Sequence, residues 1–430
     1  MRYKPLSSEF YKLNRKNFMS SMKPRSLAIF NSNDIYPISA DSTFPFQQHR
    51  DIFYLCGIDQ EESILILFPD AINSKHNEIL FLKNSNKNLK IWEGEKLSKK
   101  EAQKLSGVSS IYWINEFEDI FKSLCSQCEK FYFNTNEHYR QNVKTQTRED
   151  RFIIYCKSKY PAHKSEKSNP ILQKLRSIKS EEEISQIQIA CNITEKGFRR
   201  ILKHVKPGVW EYEIEAEFSH EFLKNKSKGF AYPPIIASGK NSNVLHYIEN
   251  NKQCKKGDIL LLDVGAEYGN YSSDMTRTIP ISGRFNSRQK KIYQSILNVK
   301  NEATKMLIPG AKWKEHHKEV GKIMTSELLK LNLIDKIDVK NQNPEKPAYK
   351  KYFMHGTSHH LGLDTHDYGL LDLAMETNMV FTVEPGIYIP KEKFGVRLED
   401  DVVIQKNKPP INLMKNIPIE IEEIEDLMNS

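Results

Sequence analysis

With 430 residues, 39% of them apolar and 28% charged, the chain is long enough for two or three domains with substantial cores, which excludes a mini-protein scaffold and global disorder. Lys and Arg number 64 against 55 Asp and Glu, and the resulting +9 is spread over Lys- and Asn-rich stretches such as 84–90. These read as solvated loops rather than a basic face for nucleic acid. The most sustained apolar runs, such as 64–68 and Ile259–Val264, are strand-length, well short of the roughly 20 residues of a membrane helix. Charged residues interrupt the first twenty positions, where a secretory signal needs an apolar stretch, so a cytoplasmic protein is expected. The six cysteines, Cys56, Cys125, Cys128, Cys156, Cys191 and Cys254, form no regular framework and read as reduced, buried thiols. The single C-x-x-C of Cys125 and Cys128 lacks a second pair or a redox context.

In chain order, short apolar runs at 27–30, 52–55, 63–68, 78–82 and 131–133 are separated by turn residues and interleaved with helix-like spacing at 98–105 and 117–128. A mixed sheet flanked by helices is expected, forming an N-terminal α/β domain over 1–165. A polar segment between Tyr160 and Pro170 suits a linker, and a second domain is expected over 170–430. There Ser180 and Glu183 make a capping box for a long amphipathic helix that Pro207 and Gly208 end, before a second helical pattern at 210–223. Pro309, Gly310 and Trp313 repeat that punctuation 102 residues later, which suggests an internal duplication.

The chemistry concentrates in the second domain. Ile259–Val264 is a buried-strand run interrupted by Asp263, and after a turn at Gly269 and Asn270 a second strand carries Asp274. A two-residue turn sets Tyr268 against Tyr271 and Gly265 against Asp274, leaving Asp263 as a diagonal neighbour about 7–8 Å away on the same face. Residues 354–367 read MHGTSHHLGLDTHD, with His355, His359, His360 and His366 inside twelve positions; Gly356 and Gly362 argue against one unbroken helix. Glu384 interrupts an apolar run over 380–389, and Arg397 and Glu399, two apart in a run over 396–404, share a face. Carboxylates in apolar strands are costly unless paired or metal-bound.

Asp263, Asp274, His359, Glu384 and Glu399 match in order the five ligands of the dinuclear metallopeptidases of the creatinase, or pita-bread, fold. VLHY around His246, DVGAEYGNYSSDMTRT, MHGTSHHLGLDTHD, VEPGIY and GVRLEDD resemble the Xaa-Pro aminopeptidase (aminopeptidase P) branch, and FPFQQHRDIFYLCGI at 44–58 resembles its non-catalytic N-terminal domain. The resemblance implies a pita-bread domain with a pseudo-twofold duplication, holding two divalent ions, foremost Mn(II), with Zn, Co or Fe also compatible with an oxygen-rich site. Such a pair lowers the pKa of a bridging water. It also implies that Glu384 both ligates and shuttles the proton, while His246, His355, His366 and Arg397 bind peptide or relay protons. His360 falls where relatives also carry aromatic residues and reads as packing. The implied activity is release of the first residue from peptides with an N-terminal Xaa-Pro, by a homodimer or dimer of dimers. Prolidase is the nearest rival, and Thr357-Ser358-His359 favours the aminopeptidase. Methionine aminopeptidase ranks behind it, lacking such an N-terminal domain. A non-catalytic pita-bread binding module and a metal-free creatine amidinohydrolase are disfavoured by the filled ligand positions.

Overall fold

Residues 2–84, 86–370 and 372–430 are described by a computed structural model, and they fall into two units: Pro5–Leu175, and Arg176–Ser430 together with the residues up to Lys4.

The first unit is built on a six-stranded sheet in the order Ser110–Trp113, Glu78–Leu82, Ile64–Leu67, Ser26–Asn31, Lys130–Phe133, Lys164–Lys167. The sheet is mixed: the central strand Ser26–Asn31 runs antiparallel to Ile64–Leu67 and parallel to Lys130–Phe133. Period-two alternation explains its two buried faces. Leu27, Ile29, Ile64, Ile66, Ile79, Phe81, Phe131 and Phe133 meet Phe117, Phe121 and Leu124 of helix Phe117–Cys125, while Phe30, on the opposite face, meets Phe18 of helix Ser8–Ser20 at 5.2 Å between ring centroids.

Three sequence expectations fail here. The 52–55 run is a helix, Arg50–Cys56, capped by His49 and closed by Gly57 at φ +67°. A short, fully apolar run fits a buried helix as well as a buried strand, and the left-handed glycine decides it. The polar stretch read as a linker contributes Lys164–Lys167 as an edge strand parallel to Lys130–Phe133. An edge tolerates lysine because one side of the ladder faces water. The stretch 84–90 enters helix Lys87–Glu93, whose Asn86 side chain accepts from the Leu89 N–H; Ser85 lies outside the described residues.

The second unit carries two similar halves. The predicted capping box starts helix Glu181–His204, which packs on Glu211–Lys224 through Gly197, where a Cβ would approach Phe218 to 2.7 Å. These helices accompany the antiparallel sheet Met275–Pro280, Ile259–Val264, Ile235–Ser238. Helices Ser287–Lys305 and Trp313–Lys330 accompany the sheet Val380–Val383, Asp400–Val403, Ile411–Asn412. The duplication is explicit in the backbone. Gly208 N–H donates to Cys254 O and Cys254 N–H to Val209 O; in the second half Gly310 N–H donates to Met375 O and Met375 N–H to Ala311 O. The fold is thus α/β, with a mixed N-terminal unit and a pseudo-twofold C-terminal one. All six cysteines are free and buried, and burial pushes the Cys125 and Cys128 thiols up to about 12. Among the described residues no helix is long and apolar enough to cross a membrane.

Candidate metal centre

The hairpin carrying the two aspartates has the expected register. Tyr268 pairs with Tyr271 across Gly269 and Asn270, and Asp263 pairs with Thr276, so Asp274 falls opposite Gly265. A Cβ on Gly265 would lie 1.7 Å from the Ser273 carbonyl oxygen, so only glycine admits this approach of the strands. Asp274 N–H donates to Asp401 Oδ2 at 3.0 Å, which fixes its backbone.

The second half brings the remaining groups by a similar construction. Loop 357–361 lies along Val380–Val383: Thr382 N–H donates to His359 O, Leu361 N–H to Val380 O and Glu384 N–H to Thr357 O at 2.7 Å. The run over 396–404 is two strands, Phe394–Arg397 and Asp400–Val403, with Glu399 at the break. Arg397 and Glu399 nevertheless meet on one side chain, since Arg397 Nε donates to Thr276 Oγ1 and Thr276 Oγ1 donates to Glu399 Oε2 at 2.6 Å.

Ligand atoms of Asp274, His359 and Glu399 lie within 4.8 Å of one another. Glu384 Oε1 is 3.6 Å and Asp274 Oδ2 3.4 Å from His359 Nε2. Asp263 joins through Tyr232, whose hydroxyl lies 2.7 Å from Asp263 Oδ1 and 2.5 Å from Asp274 Oδ1. His355 is adjacent: its Nδ1 is 3.5 Å from Glu384 Oε2 and 2.7 Å from the Gly356 carbonyl, and its Nε2 is 2.8 Å from the Tyr388 hydroxyl. Arg397 completes this chain, donating from Nη1 to Tyr388 at 2.7 Å and from Nη2 to Asp263 Oδ2 at 2.5 Å. The His366 ring stands edge-on to His359 at 4.4 Å. His246 lies on an exposed turn, near enough to His355 to disfavour its protonation. His360 turns away and packs on Phe381 at 4.3 Å, as expected of a non-ligand imidazole.

The electrostatics require positive charge. Burial, with Asp274 next to it, pushes Glu399 well above the usual carboxylate range. Burial also raises Asp263 despite Arg397, and lifts Glu384 to about 7 against the pull of His359 and Arg397. For His359 burial acts downward, but Asp274 and Glu384 outweigh it and hold the imidazole at about 9. Its Nδ1 faces the His360 carbonyl at 2.9 Å, so Nδ1 keeps its proton and Nε2 is the atom turned to the acids, the arrangement of a metal-ligating histidine. Four carboxylates and one imidazole around a small volume are therefore a donor set that fits divalent cations. His355 differs: burial and then Arg397 lower it to about 3, leaving a neutral ring that donates from Nδ1 to Gly356 O and accepts from Tyr388 at Nε2.

Sequence reasoning missed Tyr232, Thr276 and Tyr388, and it missed His317, whose Nδ1 is 3.0 Å from Thr357 Oγ1. For Thr276 a signal existed, since it sits two residues beyond Asp274 on the same strand face. Tyr232 lies in an Ala-Tyr-Pro-Pro stretch with no periodicity and meets its partners only through the fold.

Residues 185–406 match the model of metallopeptidase family M24, and 11–132 match that of the aminopeptidase P N-terminal domain. The chain is 31% identical to an Xaa-Pro aminopeptidase of Escherichia coli over 98% of both chains. Among solved structures it resembles aminopeptidase PepP of Pseudomonas aeruginosa, with a TM-score of 0.89 and 30% identity over 99% of this chain and 98% of that one. It also resembles zinc-substituted E. coli aminopeptidase P in complex with product, with a TM-score of 0.88 and 31% identity over 99% of each chain.

Proposed function

The chain belongs to metallopeptidase family M24 and is a metallo-aminopeptidase, and from that premise we propose that it releases the N-terminal residue from peptides whose second residue is proline. The observation that carries this reading is the convergence of Asp274, His359 and Glu399 within 4.8 Å, with Asp263 and Glu384 beside them. Those five residues hold two divalent ions in this proposal, Mn(II) foremost, with 170–430 as the catalytic domain and 1–165 as a non-catalytic one. The ions would supply water activation at neutral pH and polarisation of the scissile carbonyl.

The chain's own residues do the rest. Glu384 accepts the proton of the attacking water and returns it to the departing amine, a role suited to a carboxylate whose oxygens lie beside His359 and His355 at the centre of the site. Arg397, fixed by Asp263 and Tyr388, lines the site as a hydrogen-bond donor toward the peptide and the developing oxyanion, and neutral His355, whose Nδ1 proton is held by Gly356 O, braces Tyr388 beside it. His246 and His366 bind the peptide at the rim. Proline in the second position lacks an N–H and fixes its own φ, so a site that tolerates it need not read an extended, hydrogen-bonded backbone there. Cytoplasmic residence and assembly as a homodimer or dimer of dimers belong to the same proposal; six free buried thiols suit a reducing compartment.

Purified protein supplied with Mn(II) should release arginine from Arg-Pro-Pro. Turnover of Xaa-Pro dipeptides alone would make it a prolidase, and binding of nucleic acid or protein without either activity would make it a binding module. Metal analysis of the native protein decides between manganese and zinc.

A further inference from the structure

Loop 362–368 carries His366, exposed at the rim, but its next neighbour is buried and highly charged in its surroundings. Asp367 Oδ1 accepts from Arg176 Nη2 at 2.5 Å, and Oδ2 accepts from Lys179 Nζ at 2.9 Å. Arg176, Lys179 and Asp367 are 2%, 1% and 6% exposed, so all three are interior ions. Lys179 Nζ also donates to Arg176 O at 2.7 Å, and Arg176 Nη2 reaches Asp364 Oδ2 at 2.7 Å. The Arg176 guanidinium lies 4.3 Å from the centroid of the Tyr368 ring. The loop backbone is tied at the same points: Asp367 N–H donates to His360 O at 3.0 Å, and Ser272 N–H donates to Gly362 O at 2.8 Å. A Cβ at Gly362 would lie 2.1 Å from Asp367 Oδ2, so the glycine makes room for the carboxylate.

A buried ion cluster of this kind is seldom more stable than apolar packing of the same volume, and its use is best sought in what it positions. What it positions here is one peptide bond away: the His366 ring, edge-on to His359. We propose that Asp367, clamped between Arg176 and Lys179, is the positioning residue that holds His366 at the metal centre and so acts on turnover through His366 alone. This rests on the reading of His366 as a peptide-binding site residue.

The test is a double-mutant cycle on the metal-loaded full chain: wild type, Asp367→Asn, His366→Ala and the double variant, assayed on Arg-Pro-Pro with metal content measured in each. Asp367→Asn should lower kcat/KM about tenfold with metal content unchanged, and should cost less than twofold in the His366→Ala background. An equal loss in both backgrounds, or wild-type rates for Asp367→Asn, overturns the proposal. If Asp367→Asn does not fold, Lys179→Gln, which keeps the Arg176 pair, takes its place in the cycle. A wild-type protein that binds metal yet cleaves no peptide would refute the functional reading instead. The anchor is then judged by the His366 side-chain resonances in ¹H–¹⁵N spectra, which must shift in Asp367→Asn; unmoved resonances overturn it.

Discussion

Replacing Tyr232 by Phe removes one oxygen and keeps the ring. That oxygen lies 2.7 Å from Asp263 Oδ1 and 2.5 Å from Asp274 Oδ1, so it ties together two carboxylates that would otherwise repel. A hydrogen bond to a charged group contributes about 1.5–3 kcal/mol. At about 1.4 kcal/mol per tenfold, that bond corresponds to roughly 10- to 100-fold in the affinity of the site for a cation, the range found when groups supporting metal ligands are removed. The ring continues to fill its place, so the fold should survive. Isothermal titration of metal-stripped wild-type and Tyr232→Phe protein with Mn(II) measures the difference, with far-ultraviolet circular dichroism as the control for folding. Equal or tighter binding by the variant would refute the reasoning, because the phenol would then be a competitor for the carboxylate lone pairs and not their organiser.

Asp274→Ala should abolish metal binding and peptidase activity. It should leave the melting temperature of the metal-free protein equal to or above that of wild type, because Asp274 is the foremost charge destabilising ionised Glu399. Activity at the wild-type level would contradict the ligand assignment. The metal-free wild type should gain stability between pH 8 and pH 5: Glu384, raised to about 7, takes up its proton in the folded state first, and His359, held at about 9, is protonated throughout. Below about pH 4 the sign reverses. Asp367, which Arg176 and Lys179 hold at about 2 against burial, and Asp400, held down by Arg277 and Lys300, contribute stability that is lost as they protonate. Thermal melts across the pH range, with and without metal, check both limbs, and a metal-free melting temperature that falls steadily from pH 8 to pH 5 would contradict the first.

What could be read from the sequence was whatever local geometry dictates. The Gly269-Asn270 turn fixes the register of its hairpin, and with it the position of Asp274 opposite Gly265. Ser180 and Glu183 announce a helix start because the capping box is a four-residue interaction. Arg397 and Glu399 converge as expected from their spacing, although a strand break separates them and Thr276 supplies the common partner. The failures are those of context. Residues 52–55 are apolar on every side, and periodicity cannot tell a buried helix from a buried strand. Lys164–Lys167 looks like solvent-exposed linker because an edge strand has one face of its ladder in water. Tyr232 and Tyr388 gain their roles from partners 31 and 9 positions away or more, which composition does not encode.

The register of the second half carries the strongest physical argument for the cations. Val383 pairs with Asp400 and Gly386 with Arg397, so the same pairing runs on across the break and sets Glu384 opposite Glu399. Like charges directly opposed on neighbouring strands are destabilising, and here Glu399 is buried and Glu384 half-buried. The first half places Asp274 at the corresponding interruption of its own hairpin, opposite Gly265, and Thr276 bridges to Glu399, joining the two halves where their acids face each other. Each half thus breaks its sheet at the point where a carboxylate must leave the ladder and turn inward, and the duplication superimposes two acidic edges in one volume. Arg397 answers Asp263, leaving Asp274, Glu384 and Glu399 around His359. Only added positive charge lets those acids ionise together at neutral pH. A fold that concentrates negative charge at the seam between its halves is organised around the ions it binds.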